Sequence, residues 1–69
     1  MTFGQRLAKI RTERNLSARE MGEKIGIAGQ TIYHWEQDRS EPRLSSLVWL
    51  ADYLGMTLDE LVGRTVPKK

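Results

Sequence analysis

Two four-residue strings, Ser17-Ala18-Arg19-Glu20 and Thr57-Leu58-Asp59-Glu60, constrain this chain more than anything else in it. Each places a hydroxyl at a helix N-cap and a carboxylate three residues on. The hydroxyl oxygen can accept from the third helical N–H while the carboxylate reaches back to the N–H of the cap. Apolar residues flank both strings, Leu16 with Met21 and Met56 with Leu61, in the register of a hydrophobic staple. Gly26 follows the first where a left-handed residue would end the helix at no steric cost, and Gly63 follows the second. A chain punctuated in this way is helical, and its helices are short. One covers 18 to 24 or 25 and another 58–62.

The intervening segments carry the same period. Phe3, Leu7 and Ile10 lie at i, i+4 and i+7, with Arg6, Lys9 and Glu13 on the opposite side. That pattern predicts a helix over 3–13, stopped near Asn15. A third helix is expected over 28–37, with Ile32 and Trp35 three apart and Trp35 in the core. The polar stretch Asp38-Arg39-Ser40-Glu41-Pro42 reads as a loop, its proline standing just ahead of a new helix. That fourth helix, 44–54, is expected to bury a stripe of Leu44, Leu47, Val48, Ala51 and Leu54, and Gly55 ends it. No alternating apolar run competes, and there is no internal repeat. The fold class is all-α, a compact five-helix bundle over 1–63, followed by a basic tail, 64–69, expected to fray.

Composition narrows the function. At 69 residues this is one domain, and one that buries only about 60% of its unfolded surface. Small folds often need staples, but there is no cysteine, which excludes disulfides and Cys-bearing zinc sites. His34 is the single histidine, so a His-rich metal site is excluded as well. The net charge of +2 and pI near 9.3 permit an anionic partner without demanding one. No apolar run reaches membrane-spanning length and the N-terminus lacks a signal-like stretch, so a cytoplasmic protein without a membrane partner is expected. Enzyme readings fail on their own terms. There is no GxGxxG and no GK[ST], and His34 near Glu36 and Asp38 has no serine or cysteine nucleophile to serve. No catalysis, cofactor, metal or small-molecule ligand is expected.

Gly22, Gly26 and Ile32 are separated by 4 and 6 residues. Two helices crossing through a tight turn need a small residue where they touch, a residue tolerant of positive φ in the turn, and an apolar anchor on the next helix. These three meet those needs in order, and between a capping box and a second amphipathic helix they signal a helix-turn-helix. Residues 16–62, LSAREMGEKIGIAGQTIYHWEQDRSEPRLSSLVWLADYLGMTLDELV, resemble the Cro and phage-repressor type of helix-turn-helix domain, the Xre family. The most specific stretches are GQTIYHWEQDRSEP and LADYLGMTLDELV, and the likeness extends through the first helix.

The resemblance implies a lambda-repressor-like domain of bacterial or phage origin, binding double-stranded DNA at pseudo-palindromic operators as a dimer. It makes 28–37 the recognition helix, with Gly29, Gln30, Tyr33 and His34 at base edges. Gln30 is the foremost reader, because a carboxamide can pair bidentately with adenine N6 and N7. His34, one turn on, faces guanine N7 or O6 or a phosphate, or else is a solvated surface histidine. Tyr33 either packs on the sugar-phosphate chain or shields the bundle. Thr31 lies near the backbone or a thymine methyl. Arg39 and Arg43 fall where the family grips phosphates, with Arg19 and Gln37 as second-rank contacts, the alternative for these four being a solvated surface. Arg11 and Glu36 match a structural ion pair that holds the recognition helix at its angle.

The chain departs from that family at four places. Ala18 stands where a phosphate-binding Gln is common, and Ala28 where a Ser or Thr would cap the recognition helix. Gly29 removes a side chain that often reads a base and loosens the helix start. Asp38 replaces a Gly or Asn and adds negative charge near DNA. Trp49 and Tyr53, i and i+4 on the fourth helix and opposite its apolar stripe, suggest a partner surface, with a homodimer as the natural partner and packing within the monomer as the alternative. Two functions follow: a sequence-specific transcriptional regulator, in the main a dimeric repressor, or a protein-interaction module on the same fold that works through Trp49 and Tyr53.

Overall fold

The computed structural model describes residues 1–63, and the expected basic tail lies outside the described residues. The elements run α1 (Phe3–Glu13), α2 (Ala18–Ile25), α3 (Gly29–Glu36), α4 (Leu44–Leu54) and α5 (Leu58–Val62), with no strand among the described residues. Both capping boxes are formed. Ser17 Oγ accepts from Glu20 N at 3.0 Å and Glu20 Oε1 accepts from Ser17 N at 3.0 Å. Thr57 and Glu60 repeat the exchange at 3.1 and 2.9 Å. A third box, Thr2 with Gln5, opens α1.

Backbone geometry at the helix ends follows the sequence. Gly26 ends α2 at φ 75°, and the Ile27 N–H closes back onto the Gly22 carbonyl at 2.8 Å. A Cβ on Gly22 would lie 2.1 Å from the Ile27 carbonyl oxygen, so only glycine lets this turn fold back against α2. Asn15 ends α1 in the left-handed region at φ 57°, a conformation its short amide side chain tolerates.

Leu7, Ile10, Met21, Ile32, Trp35, Leu50, Ala51, Leu54 and Leu61 form one core drawn from all five helices. The expected α4 stripe is corrected here. Leu44 is 70% exposed and Val48 38%, whereas Ser46 and Leu50 are buried. Helical rotation explains the difference: the face toward the bundle is centred on Leu47, Leu50 and Leu54, which puts Leu44 and Val48 on its outer edge. The outer side of α4 is therefore not a polar face broken by two aromatics. It carries Leu44, Val48, Trp49 and Tyr53, all at least partly in water.

Two arginines of α1 and the arginine that caps its C-terminus bind the bundle together. Arg6 Nε donates to the Glu60 carbonyl at 2.8 Å, in the last turn of α5, beside the Gly63 N–H that the same oxygen accepts. Arg14 Nη2 donates to the Leu54 carbonyl, the last of α4, at 2.8 Å. Arg11 joins Glu36 through Nε at 2.6 Å and Nη2 at 3.0 Å, and its Nη1 holds the Leu16 carbonyl at 2.7 Å. Thus α1 is fastened to α3, α4 and α5 by charge-assisted hydrogen bonds as well as by packing.

Candidate nucleic-acid interface

α3 is positioned from both ends. At its start, a Cβ on Gly29 would lie 2.9 Å from Arg19 Cα and 3.1 Å from Arg19 N, so the helix enters against the bare backbone of α2. The close approach gives Gly29 a packing role in place of a loose helix start, and it directs that residue's missing side chain at α2. At the other end the Arg11–Glu36 pair ties α3 to α1, with side chains only 17% and 6% exposed. The hydrogen bond to Glu36, with the attraction of its charge, outweighs burial and raises the Arg11 pKa above the ordinary guanidinium value. That cation stays charged at any physiological pH.

α3 is one residue shorter at each end than the sequence suggests, because Ala28 and Gln37 serve as its caps. Ala28 offers no side-chain cap to the first N–H groups, and Arg43 at the head of α4 offers none either. Gln30 and Tyr33 are exposed, and Thr31 and His34 are half-buried. One turn of helix separates Gln30 from His34, and their Nε2 atoms are 3.2 Å apart. Gln37 lies exposed at the end of the helix.

Beyond it, Asp38 takes φ 57° and the Arg39 N–H closes onto the His34 carbonyl at 3.0 Å. The Asp38 carboxylate does not face the outside of α3. Its Oδ2 accepts from Thr2 Oγ1 at 2.6 Å and its Oδ1 from Gly4 N at 3.0 Å, so the charge sits on the positive end of α1. Sequence reasoning missed this long-range cap, as it missed the Thr2–Gln5 box and the grips of Arg6 and Arg14. The box had a local signal in its Thr-x-x-Gln spacing. The other contacts join residues 34 to 54 positions apart and had none.

Arg39 and Arg43 are exposed and form no ion pair among the described residues. Arg19, also exposed, is paired with Glu23 at 3.1 Å. An open cleft between α3 and α4 is lined by Thr31, Trp35, Glu41, Arg43, Ser45 and Trp49, which puts Trp49 beside the Thr31 and Trp35 side of α3. Tyr53 lies one turn further along α4 and is 37% exposed. No group of acidic, His or Cys side chains among the described residues could hold a metal ion. No helix among them is long and apolar enough to cross a membrane.

A short helix turned through a glycine onto a second helix, whose outer face is polar and flanked by arginines unpaired among the described residues, defines a helix-turn-helix protein. The chain belongs to the helix-turn-helix family, whose model matches residues 7–61. It is 38% identical to the immunity repressor protein of Bacillus phage phi105 over 91% of its own length and 44% of the relative's. It also matches SinR, the master regulator for biofilm formation, solved in complex with DNA. There the identity is 27% and the TM-score 0.78, over 86% of this chain and 95% of that one. The P22 c2 repressor bound to a synthetic operator superposes with a TM-score of 0.84 over 90% of this chain and 94% of the other. At 24% identity, that match speaks to fold alone. The chain spans 31%, 44% and 58% of the lengths of three curated relatives it matches.

Proposed function

We propose that this chain is the sequence-specific DNA-binding unit of a transcriptional regulator, in the main a repressor, that docks α3 in the major groove. The carrying observation is the composition of one surface. Gln30, Tyr33 and His34 project from α3, and Arg39 and Arg43 stand unpaired beside it. Gln30 is the foremost base reader, with His34 and Tyr33 beside it, and Gly29 contributes only its backbone. Thr31, Arg39, Arg43 and Gln37 hold phosphates, joined by Arg19 once Glu23 releases it. The uncapped N–H groups at the head of α4 add to the attraction for an anion there. Arg11 and Glu36 set the angle of α3 and touch no base. The curated relatives and the SinR complex, described by their names as regulators or as DNA-bound, support this reading.

The unit acts as a homodimer on a pseudo-palindromic operator, paired through the outer face of α4. Leu44, Val48, Trp49 and Tyr53 lie on the outer side of α4, at least partly in water, and such an apolar face suits a self-complementary contact. It acts in the cytoplasm of a bacterium or of a phage-infected cell. Selection of bound duplexes from a random pool tests the proposal directly. An inverted repeat with half-sites about one helical turn apart is the expected product. Equal affinity for the selected repeat and for a scrambled duplex at moderate salt would remove the claim to specificity.

A further inference from the structure

The contact between Gln30 and His34 has a polarity, and that polarity bears on which base is read. A carboxamide nitrogen can only donate, so at 3.2 Å the imidazole Nε2 must be the acceptor. His34 is then neutral with its proton on Nδ1, the tautomer that free imidazole disfavours. Gln30 uses one N–H on this bond and keeps Oε1 and its other N–H for a partner. An acceptor beside a donor is the pattern that matches adenine N6 and N7.

We infer that Gln30 and His34 act as one readout unit, in which the protonation state of His34 sets which edge of the Gln30 carboxamide faces the base. This rests on the proposed role of α3 as the groove-reading helix. A protonated His34 has only N–H groups to offer. Gln30 must then rotate its amide so that Oε1 accepts from Nε2–H, which turns the NH2 group outward. Two outward donors fit the N7 and O6 acceptors of guanine and oppose the N6 amino group of adenine. His34 is therefore a positioning residue for specificity, half-buried, while exposed Gln30 makes the contact.

The surrounding charges are engaged elsewhere or make no bond to the ring. On the helices packed against α3, Arg11 pairs with Glu36, Arg19 with Glu23, and Glu20 with Ser17. Arg6 and Arg14 hold carbonyls of α5 and α4, and Asp38 holds Thr2 and Gly4. Lys9, Glu13, Glu23 and Lys24 form no hydrogen bond or ion pair with the imidazole, and neither do the side chains of Arg39, Glu41, Arg43 and Asp52. Among the described residues, Gln30 is its one side-chain partner.

Two measurements on the intact chain test the inference. The first uses free protein: nitrogen-15 NMR of the imidazole should find the Nδ1–H tautomer in the neutral form. The Gln30 side-chain amide signals should move as His34 takes up its proton. An Nε2–H tautomer, or a Gln30 amide indifferent to that titration, overturns the inference without reference to DNA. The second compares duplexes from the selected operator that carry an A·T or a G·C pair at the Gln30 position. Preference for adenine should fall by about tenfold or more on protonation of His34, the scale of one bidentate base contact. His34→Gln retains an acceptor that cannot be protonated, and should keep the adenine preference while losing its pH dependence. His34→Ala should weaken the preference at every pH. A wild-type ratio that follows His34→Ala across the whole range refutes the coupling while leaving DNA recognition intact. Absence of any selective duplex removes the parent reading and the inference with it.

Discussion

Gly29 shows how a missing side chain can position a helix. Its Cα faces the backbone of α2, and a Cβ there would lie 2.9 Å from Arg19 Cα, a contact that a flexible side chain could relieve but a backbone cannot. Gly29→Ala sets a gain against a loss. Alanine gains up to ~1 kcal/mol of helix propensity, less in a first turn, while a forced backbone shift costs ~1–3 kcal/mol. The expected net result is a loss of about 1 kcal/mol, read as a lowered urea midpoint at unchanged slope. An alanine variant as stable as the parent would show that α3 can move away from α2 without penalty. Asp38 repeats the lesson with a charge. In the sequence it is an acidic residue next to a reading helix. Its hydrogen bonds to Thr2 and Gly4 place it on the first turn of α1, and no local pattern announces a partner 34 residues away. The Arg11–Glu36 pair spans 25 residues and was legible only through the resemblance to a family.

The helices themselves were legible because their ends are written locally. A capping box occupies four consecutive residues and a left-handed stop one, so α2 and α5 could be placed before any tertiary contact was known. Rotation of α4 was not legible. Eight of its eleven residues are Leu, Val, Trp, Ala or Tyr, so an apolar residue lies on every side and only the packed neighbours choose the buried stripe. The boxes also fix the response of the elements to acid. The Ser17 backbone N–H, then the Ser17 side chain, holds the Glu20 carboxylate below its ordinary pKa, and Thr57 does the same for Glu60. A carboxylate whose pKa is lowered by folding adds stability above its unfolded pKa, near 4.3 for Glu, and that stability is lost as pH falls through the folded value. Glutamine can fill the same position, as Gln5 does in α1, but does not titrate. The double variant Glu20→Gln with Glu60→Gln should therefore melt close to the parent at pH 7 and lose less stability than the parent between pH 5 and pH 3. Circular dichroism melts across that range provide the check. An unaltered acid slope would place the titrating groups elsewhere.

For the whole molecule, a net charge of +2 says little until the cations are sorted by what they hold. Arg6, Arg11 and Arg14 are engaged within the bundle, by carbonyls and by Glu36, and act as fasteners of α1. Arg39 and Arg43 are exposed and unpaired beside α3. The two groups are alike in charge and differ only in placement, so substitutions of equal charge should separate them. An arginine on a phosphate releases condensed counterions, and its loss should lower the slope of log affinity against log salt by about 1 without altering sequence preference. Arg39→Gln and Arg43→Gln should each do this and leave the melting temperature nearly unchanged. Arg14→Gln removes the same charge from the Leu54 carbonyl. It should cost roughly 1.5–3 kcal/mol of stability, the scale of a hydrogen bond to a charged group, and leave the salt slope where it was. Binding titrations at four or five salt concentrations, paired with thermal melts, would resolve the two classes. If Arg14→Gln alters the slope as much as Arg39→Gln does, affinity tracks total charge, and the assignment of the reading surface to α3 and its flanks loses its electrostatic support.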